Sequence, residues 1–302
     1  MEAKFKFRPI HFNWVAIHPQ PIGIVHVIGG AFFGTFPTIF YRYILRRLFE
    51  QGYTIIALPF RFTFRHWSVA LALVRAQSEL RKEIAAEAKR LGYEYQLYEE
   101  EPTGSKPNHF WLAHSVGCKY IALLELLSDL EQRKIQEVLG DCVGSDQDQQ
   151  IENSLRGVAL KDISLKNQPS LLLAPVLAGI ESAVPFRSLA ELVKKLGLDV
   201  QPNVKQTRCL INRSRLFNLT AAIAFSRDRI ASNQEIDEDG EPKGTVEWLQ
   251  KHVPSVKFSE LPNRKHLAPL GFRHGDSQLA EQVIQLLRVQ AQQLESTLTG
   301  QG

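Results

Sequence analysis

Apolar residues in this chain fall into two kinds of run. The first kind is short, continuous and rich in β-branched residues: Gly23-Ile24-Val25-His26-Val27-Ile28, Thr54 to Pro59, Phe110 to Ala113, Leu171 to Val176 and Asn218 to Phe225. Such runs read as strands covered on both faces, the habit of a parallel sheet. The second kind is amphipathic and lies between the first. Pro37 to Gln51 stacks Phe40, Ile44 and Leu48 at helical spacing and stops at Gly52, as a helix with a glycine after its end does. Trp67 to Leu91 reads as one long helix, apolar at first and charged later. The run after Gly117 is apolar on nearly all sides (Ile121, Leu123, Leu124, Leu126, Leu127, Leu130) and keeps a helical pattern to Leu139. Thr245 to His252 and Asp276 to about Ser296 are further helices, with Val256 to Leu261 as the last strand. Residues 5–20 predict one or two short antiparallel strands, and Tyr93 to Leu97 a short edge strand. Residues 140–155 are polar and low in complexity, which predicts a flexible insertion. Strand, turn, helix, strand is a βαβ unit with a right-handed crossover. The predicted class is α/β, in three layers around a mostly parallel central sheet.

Composition narrows the picture by exclusion. At 302 residues the chain is long enough for one large domain or a domain with an insertion. Hydrophobic residues are 44% and charged residues 23%, ordinary for a globular protein. The formal charge of +4 is small and scattered, which argues against nucleic acid as a partner. No apolar run approaches the roughly 20 residues that span a bilayer. The start, Met1-Glu2-Ala3-Lys4-Phe5-Lys6, lacks the apolar core of a signal peptide. Three cysteines without C-x-x-C spacing predict neither a disulfide framework nor a metal site, and fit a reducing, cytoplasmic location. Cys118 reads as a small apolar filler.

The chemistry gathers at the turns. Phe110 to Leu124 reads as strand, sharp turn and helix, with Ser115 at the apex and the small residues Ala113 and Gly117 two positions either side. Such a turn exposes the hydroxyl and aims the following N–H at the same spot; the plain alternative is a serine capping an ordinary buried helix. Gly29-Gly30-Ala31-Phe32-Phe33-Gly34 follows the first buried strand. It is either a tight turn or an anion-facing loop, and it lacks both the G-K-S/T ending of a phosphate loop and the spacing of a dinucleotide site. Asp228, in Ser226-Arg227-Asp228-Arg229-Ile230, follows the Asn218–Phe225 strand and is either a histidine's partner or a helix cap. Arg227 and Arg229 could draw it away from such a partner. Of nine histidines, His266 in His266-Leu267-Ala268-Pro269 follows the last strand, with His274 as the fallback. Phe60 to Trp67 interleaves arginine with aromatic residues, either to meet an anionic or aromatic ligand or to cap the core. The acidic turn Glu235 to Glu241 does not have the spacing of a calcium loop and reads as solvated surface.

The segment Ala113-His114-Ser115-Val116-Gly117 resembles the G-x-S-x-G nucleophile elbow of the α/β-hydrolase superfamily, with Ala113 in place of the first glycine. The order Ser115, Asp228, His266 is the superfamily's order. The glycine turn and the elbow also look like an uncharacterised α/β-hydrolase-like family of cyanobacteria and plants. The resemblance spans roughly residues 22–290. It implies a single three-layer α/β-hydrolase domain over residues 1–302, with residues 177–204 either a helical lid or part of the core. It further implies a serine hydrolase acting on an ester or thioester, with Ser115, Asp228 and His266 catalytic. Val116 and either Gly30 or Ala31 would form the oxyanion hole. Phe32, Phe33, His114 and Phe60 are the expected lining of a pocket for a small, apolar acyl substrate. No cofactor or metal is implied. The alternative from another class is a binding or scaffold protein on the same fold without turnover.

Overall fold

The predicted buried runs pair side by side. The computed structural model describes residues 3–61, 63–75, 77–100, 108–160, 164–177, 200–214, 220–298 and 300. Its strands are β1 (Arg8–Ile10), β2 (Asn13–Ala16), β3 (Gly23–Ile28), β4 (Tyr53–Ala57), β5 (His109–His114), β6 (Ser170–Leu173), β7 (Thr220–Phe225) and β8 (Lys257–Leu261). They form an 8-stranded sheet in the order β1-β2-β4-β3-β5-β6-β7-β8. β1 and β2 pair antiparallel, as do β2 and β4. All pairings from β4 across to β8 are parallel. This is an α/β fold with a mostly parallel sheet flanked by helices.

The layers follow from period-two alternation along the strands. Val25 and Val27 of β3, Phe110 and Leu112 of β5, and Ala221 and Ile223 of β7 face one apolar cluster. The helices Arg42–Glu50 and Ser277–Leu298 cover it with Ile44, Leu45 and Leu48, and with Val283, Ile284 and Leu287. Ile24, Ile28, Trp111, Ala113 and Ala222 face the other cluster. There the helices His66–Val74, Gln77–Arg90 and Gly117–Ser128 pack. The helix Gly117–Ser128 is buried at every position, which is why its sequence shows no polar stripe.

Four local expectations are corrected. The stretch Trp67 to Leu91 is two helices, His66–Val74 and Gln77–Arg90. Residues 93–97 form no strand; a short helix, Gln96–Glu99, occupies that region. Residues 140–155 are not a structureless insertion, because Ser145–Leu155 is a helix that buries Ile151 and Gln147. Cys142 and Cys209 are joined in a disulfide with their Cα atoms 5.5 Å apart. The two cysteines lie 67 positions apart, so spacing gave no sign of the pair. It forms where Gly140–Cys142 packs on the helix Val204–Arg213. The argument for a reducing compartment from unpaired thiols therefore lapses. The lid expectation falls almost wholly on residues 178–199, outside the described residues. No helix among the described residues is long and apolar enough to cross a membrane.

Two packing features have measurable consequences. Glu125 is buried beneath the sheet, where its Oε1 accepts from Ser170 Oγ at 2.7 Å and from Thr220 Oγ1 at 3.1 Å. Burial pushes its carboxyl up to about 7. Gly117 lies against the end of β3, where an added Cβ would sit 2.6 Å from Gly29 O and 2.7 Å from Ile28 O. Both neighbours are backbone and cannot swing aside.

A raised acid in the folded state favours folding below its unfolded value, about 4.3, and this contribution is lost as pH rises through about 7. Glu125→Gln should therefore gain stability relative to wild type between about pH 5 and about pH 8, read from urea unfolding at each pH. Gly117→Ala should lose about 1–3 kcal/mol in the same assay, despite alanine's better helix propensity.

Candidate active site

The parallel strands β3, β5, β7 and β8 end on one edge of the sheet, where ligands of open α/β sheets bind. The turn after each of them carries one of the residues singled out above. Ser115 lies between β5 and the helix Gly117–Ser128, with φ of 56°. This is a left-handed conformation that a residue with a Cβ adopts only when its surroundings force it. Here they do: Ser115 N–H donates to Leu173 O at 3.0 Å, and Ser115 O accepts from Val176 N at 3.2 Å and Cys118 N at 3.0 Å. The backbone is pinned between β6 and the elbow helix, and the side chain is turned off the strand.

His266 Nε2 lies 2.8 Å from Ser115 Oγ, and His266 Nδ1 lies 2.8 Å from Asp228 Oδ2. The Asp228 side chain is fully buried and that of His266 is 9% exposed. Asp228 Oδ1 accepts from the backbone N–H of Ile230 at 2.8 Å and of Ala231 at 3.1 Å. Burial pushes the Asp228 carboxyl up, but the hydrogen bond and charge of His266, with those two amides, outweigh it and hold the carboxyl below its ordinary value. An ionised Asp228 accepts only, so His266 carries its proton on Nδ1 and offers the Nε2 lone pair to the Ser115 hydroxyl. The helix-cap reading of Asp228 is corrected, because no helix follows it: one oxygen binds the amides of a turn while the other holds the histidine. Arg227 and Arg229 are exposed, and no ion pair to Asp228 is formed by either.

The loops carrying Asp228 and His266 are laced together. Arg227 N donates to Arg264 O at 2.9 Å, and Asn263 N donates to Ser226 Oγ at 2.8 Å. Arg264 grips Asp276 through Nε–Oδ2 at 2.6 Å and Nη2–Oδ1 at 3.2 Å. Asp276 in turn caps the helix Ser277–Leu298 by accepting from Leu279 N–H at 3.0 Å.

The glycine turn lies against the serine: a Cβ on Gly30 would meet Ser115 Cβ at 3.0 Å. Its amide is not available to a ligand, however. Gly30 N–H donates to Tyr41 Oη at 2.7 Å, so Gly30 is corrected as an oxyanion donor. Among the described residues, the N–H groups of Ala31 and Val116 meet no acceptor.

Two of the expected pocket residues are corrected as well. His114 is 2% exposed, with Nδ1 2.8 Å from Tyr41 Oη and Nε2 2.9 Å from His266 O. Both ring nitrogens are taken by protein. Phe60 is buried edge-on to Tyr120 and against Gly34. A pocket of about 410 Å³ bordered by Phe12, Phe60, Arg61 and Leu73 contains none of Ser115, Asp228 and His266. Phe33 packs against Phe40 and the core, and of the four expected pocket residues Phe32, 48% exposed, is the one that presents apolar surface beside the turn. Cys118 is fully buried and its thiol is raised by burial, which leaves it inert. No group of three metal-ligating side chains occurs among the described residues. Tyr41 escaped sequence reasoning because it sits in a helical pattern like any other aromatic.

Residues 6–139, less than half of the chain, match the family model described as "Protein of unknown function (DUF1350)". No curated protein matches the sequence. Solved structures resemble it weakly. A lipase/esterase from Lactobacillus plantarum is 11% identical with a TM-score of 0.48, over 96% of this chain and 98% of that one. The esterase Est2 from Thermogutta terrifontis is 13% identical with a TM-score of 0.44, over 95% and 89%. A truncated carbohydrate esterase from gut microbiota is 10% identical with a TM-score of 0.49, over 93% and 91%. At these scores the likeness says nothing about this chain's chemistry.

Proposed function

We propose that the protein is a serine hydrolase acting on an ester or thioester through Ser115, His266 and Asp228. The reading is carried by one observation: the unbroken chain from Ser115 Oγ to His266 to Asp228, 2.8 Å at each step. A serine, a base within hydrogen-bond reach and a third group orienting that base are the parts that activated nucleophiles need.

The steps follow from the proton positions. His266 Nε2 takes the Ser115 proton as Oγ attacks the substrate carbonyl carbon. Asp228 holds the ring and stabilises the imidazolium formed. The N–H groups of Val116 and Ala31 take the developing oxyanion, the role in which preorganised donors contribute most. His266 then gives the proton to the departing alcohol or thiol. Water, deprotonated by His266, attacks the acyl-Ser115 ester; the C–Oγ bond breaks, His266 returns the proton to Ser115 Oγ, and the acid is released. Phe32 contributes an apolar wall for the acyl group. The strained φ at Ser115 supports the same reading, because such strain collects at sites where it serves the chemistry.

A fluorophosphonate probe should label the wild-type protein at Ser115, and Ser115→Ala should abolish labelling. Asp228→Asn should slow labelling by on the order of 10⁴, with its folding transition retained. Across p-nitrophenyl esters of graded chain length, kcat/KM should rise with the acyl chain. An unlabelled wild type, or undiminished labelling of Ser115→Ala, would overturn the assignment.

A further inference from the structure

We propose that Tyr41 and His114 are positioning residues, a buried two-residue strut that ties the glycine turn after β3 to the loop of His266. The inference rests on the catalytic reading above, but its geometry can be tested without turnover.

The strut is a chain of three hydrogen bonds: Gly30 N to Tyr41 Oη at 2.7 Å, Tyr41 Oη to His114 Nδ1 at 2.8 Å, and His114 Nε2 to His266 O at 2.9 Å. Its polarity is determined. A carbonyl oxygen only accepts, so His114 Nε2 carries the proton. The neutral ring then has a lone pair at Nδ1, which Tyr41 Oη–H must fill. The Tyr41 oxygen is left to accept from Gly30 N–H. Tyr41 and His114 are each 2% exposed, so water does not compete for these groups. Burial, reinforced by the neighbouring charge of His266, holds His114 down to about 3, and the neutral tautomer persists across the working range.

The backbone around Tyr41 is built for this reach. Helix runs Pro37–Phe40 and Arg42–Glu50 on either side, and Tyr41 between them is not helical, with φ of −105° and ψ of 11°. The break is filled by Gly271, downstream of His266. Gly271 N donates to Phe40 O at 2.7 Å, and Gly271 O accepts from Tyr43 N at 2.8 Å. The histidine loop is therefore gripped twice, at His266 O by His114 and at Gly271 by the broken helix. The strut also decides which turn amide serves the site. Tyr41 occupies Gly30 N–H and leaves Ala31 N–H without a protein acceptor among the described residues.

The test compares His114→Gln, His114→Phe and Tyr41→Phe with wild type. Glutamine keeps one donor and one acceptor at spacing close to that of the imidazole nitrogens; phenylalanine fills the volume and keeps neither. Folding is checked by thermal unfolding. Histidine side-chain proton–nitrogen NMR reports the Nε2–H tautomer of His114 and the hydrogen-bonded Nδ1–H of His266. Fluorophosphonate labelling gives the binding and reaction steps separately. His114→Phe is expected to weaken or abolish the His266 Nδ1–H signal and to slow the reaction step by about 10²-fold, with probe binding unchanged. His114→Gln is expected to restore both, and Tyr41→Phe to give a smaller loss in the same step. If His114→Phe does not fold, the loss in Tyr41→Phe carries the test. An unchanged His266 signal and labelling rate in the folded phenylalanine variants would overturn the proposal, as would glutamine performing no better than phenylalanine. A wild type that is never labelled, yet whose His266 signal responds as described, would overturn the hydrolase reading and leave the strut standing.

Discussion

The backbone of Ser115 is the constraint on which the site depends. A φ of 56° costs a residue with a Cβ on the order of 1–3 kcal/mol, and the turn persists because hydrogen bonds at both its N–H and its C=O fix it from outside. Leu173 at the end of β6 and Val176 just beyond supply two of them. The register of β5 against β6, Ala113 opposite Leu172 and His114 opposite Leu173, therefore sets the serine's conformation. Any slip in that pairing would put the wrong carbonyl beneath Ser115. On the other side, Gly117 lets the elbow helix start in contact with the last carbonyls of β3. The turn after β3 is thereby drawn over the serine.

From this turn the remaining parts are placed by parallel topology. In a parallel sheet every strand ends on the same edge, so residues distant in sequence meet if each stands just past its strand. Asp228 follows β7 and His266 follows β8, and these strands pair with Ala224 opposite Glu260 and Phe225 opposite Leu261. Backbone and side-chain bonds between the two loops convert that register into a fixed separation. The hydrogen-bonded chain from serine to carboxylate is thus the sum of a few ladder registers and a few loop contacts. It does not require the three side chains to bring themselves together.

Elements that announce themselves over a few residues were legible in the sequence. β3, β5 and β7 are apolar runs with no helical alternative of that length. The serine and aspartate each stand next to a strand end that such a run marks, and the histidine follows β8, a strand of mixed polarity. What escaped depends on residues far apart in the chain. The break at Tyr41 has no local signal, because the apolar spacing of Phe40, Ile44 and Leu48 continues through it. It is produced by Gly271 lying against the helix. The same holds for the disulfide and for His114, whose place in the elbow motif said nothing about which way its ring would face. The helix Val204–Arg213 is a different matter. Asn203 and Gln206 form a reciprocal capping box at its start, and that signature was readable but straddled the end of the stretch, residues 177–204, read as either a lid or part of the core. The split of Trp67 to Leu91 into two helices has no such signature among the described residues.

Two imidazoles lie side by side in this site, with ring centroids 5.0 Å apart, and their protons are on opposite nitrogens. His266 has a buried carboxylate at Nδ1, which fixes the proton there and would stabilise a positive ring. His114 has a carbonyl at Nε2 and a hydroxyl at Nδ1, and neither supplies a counter-charge. The asymmetry has a functional sense. In the proposed reaction, a proton on His114 would set a like charge against an imidazolium at His266, and in a dry site that repulsion is not screened. Keeping His114 buried among neutral partners leaves it able to hold the His266 loop by hydrogen bonding alone. In the proposed hydrolysis the base and its support are then adjacent and chemically alike, while only one of them takes up a proton.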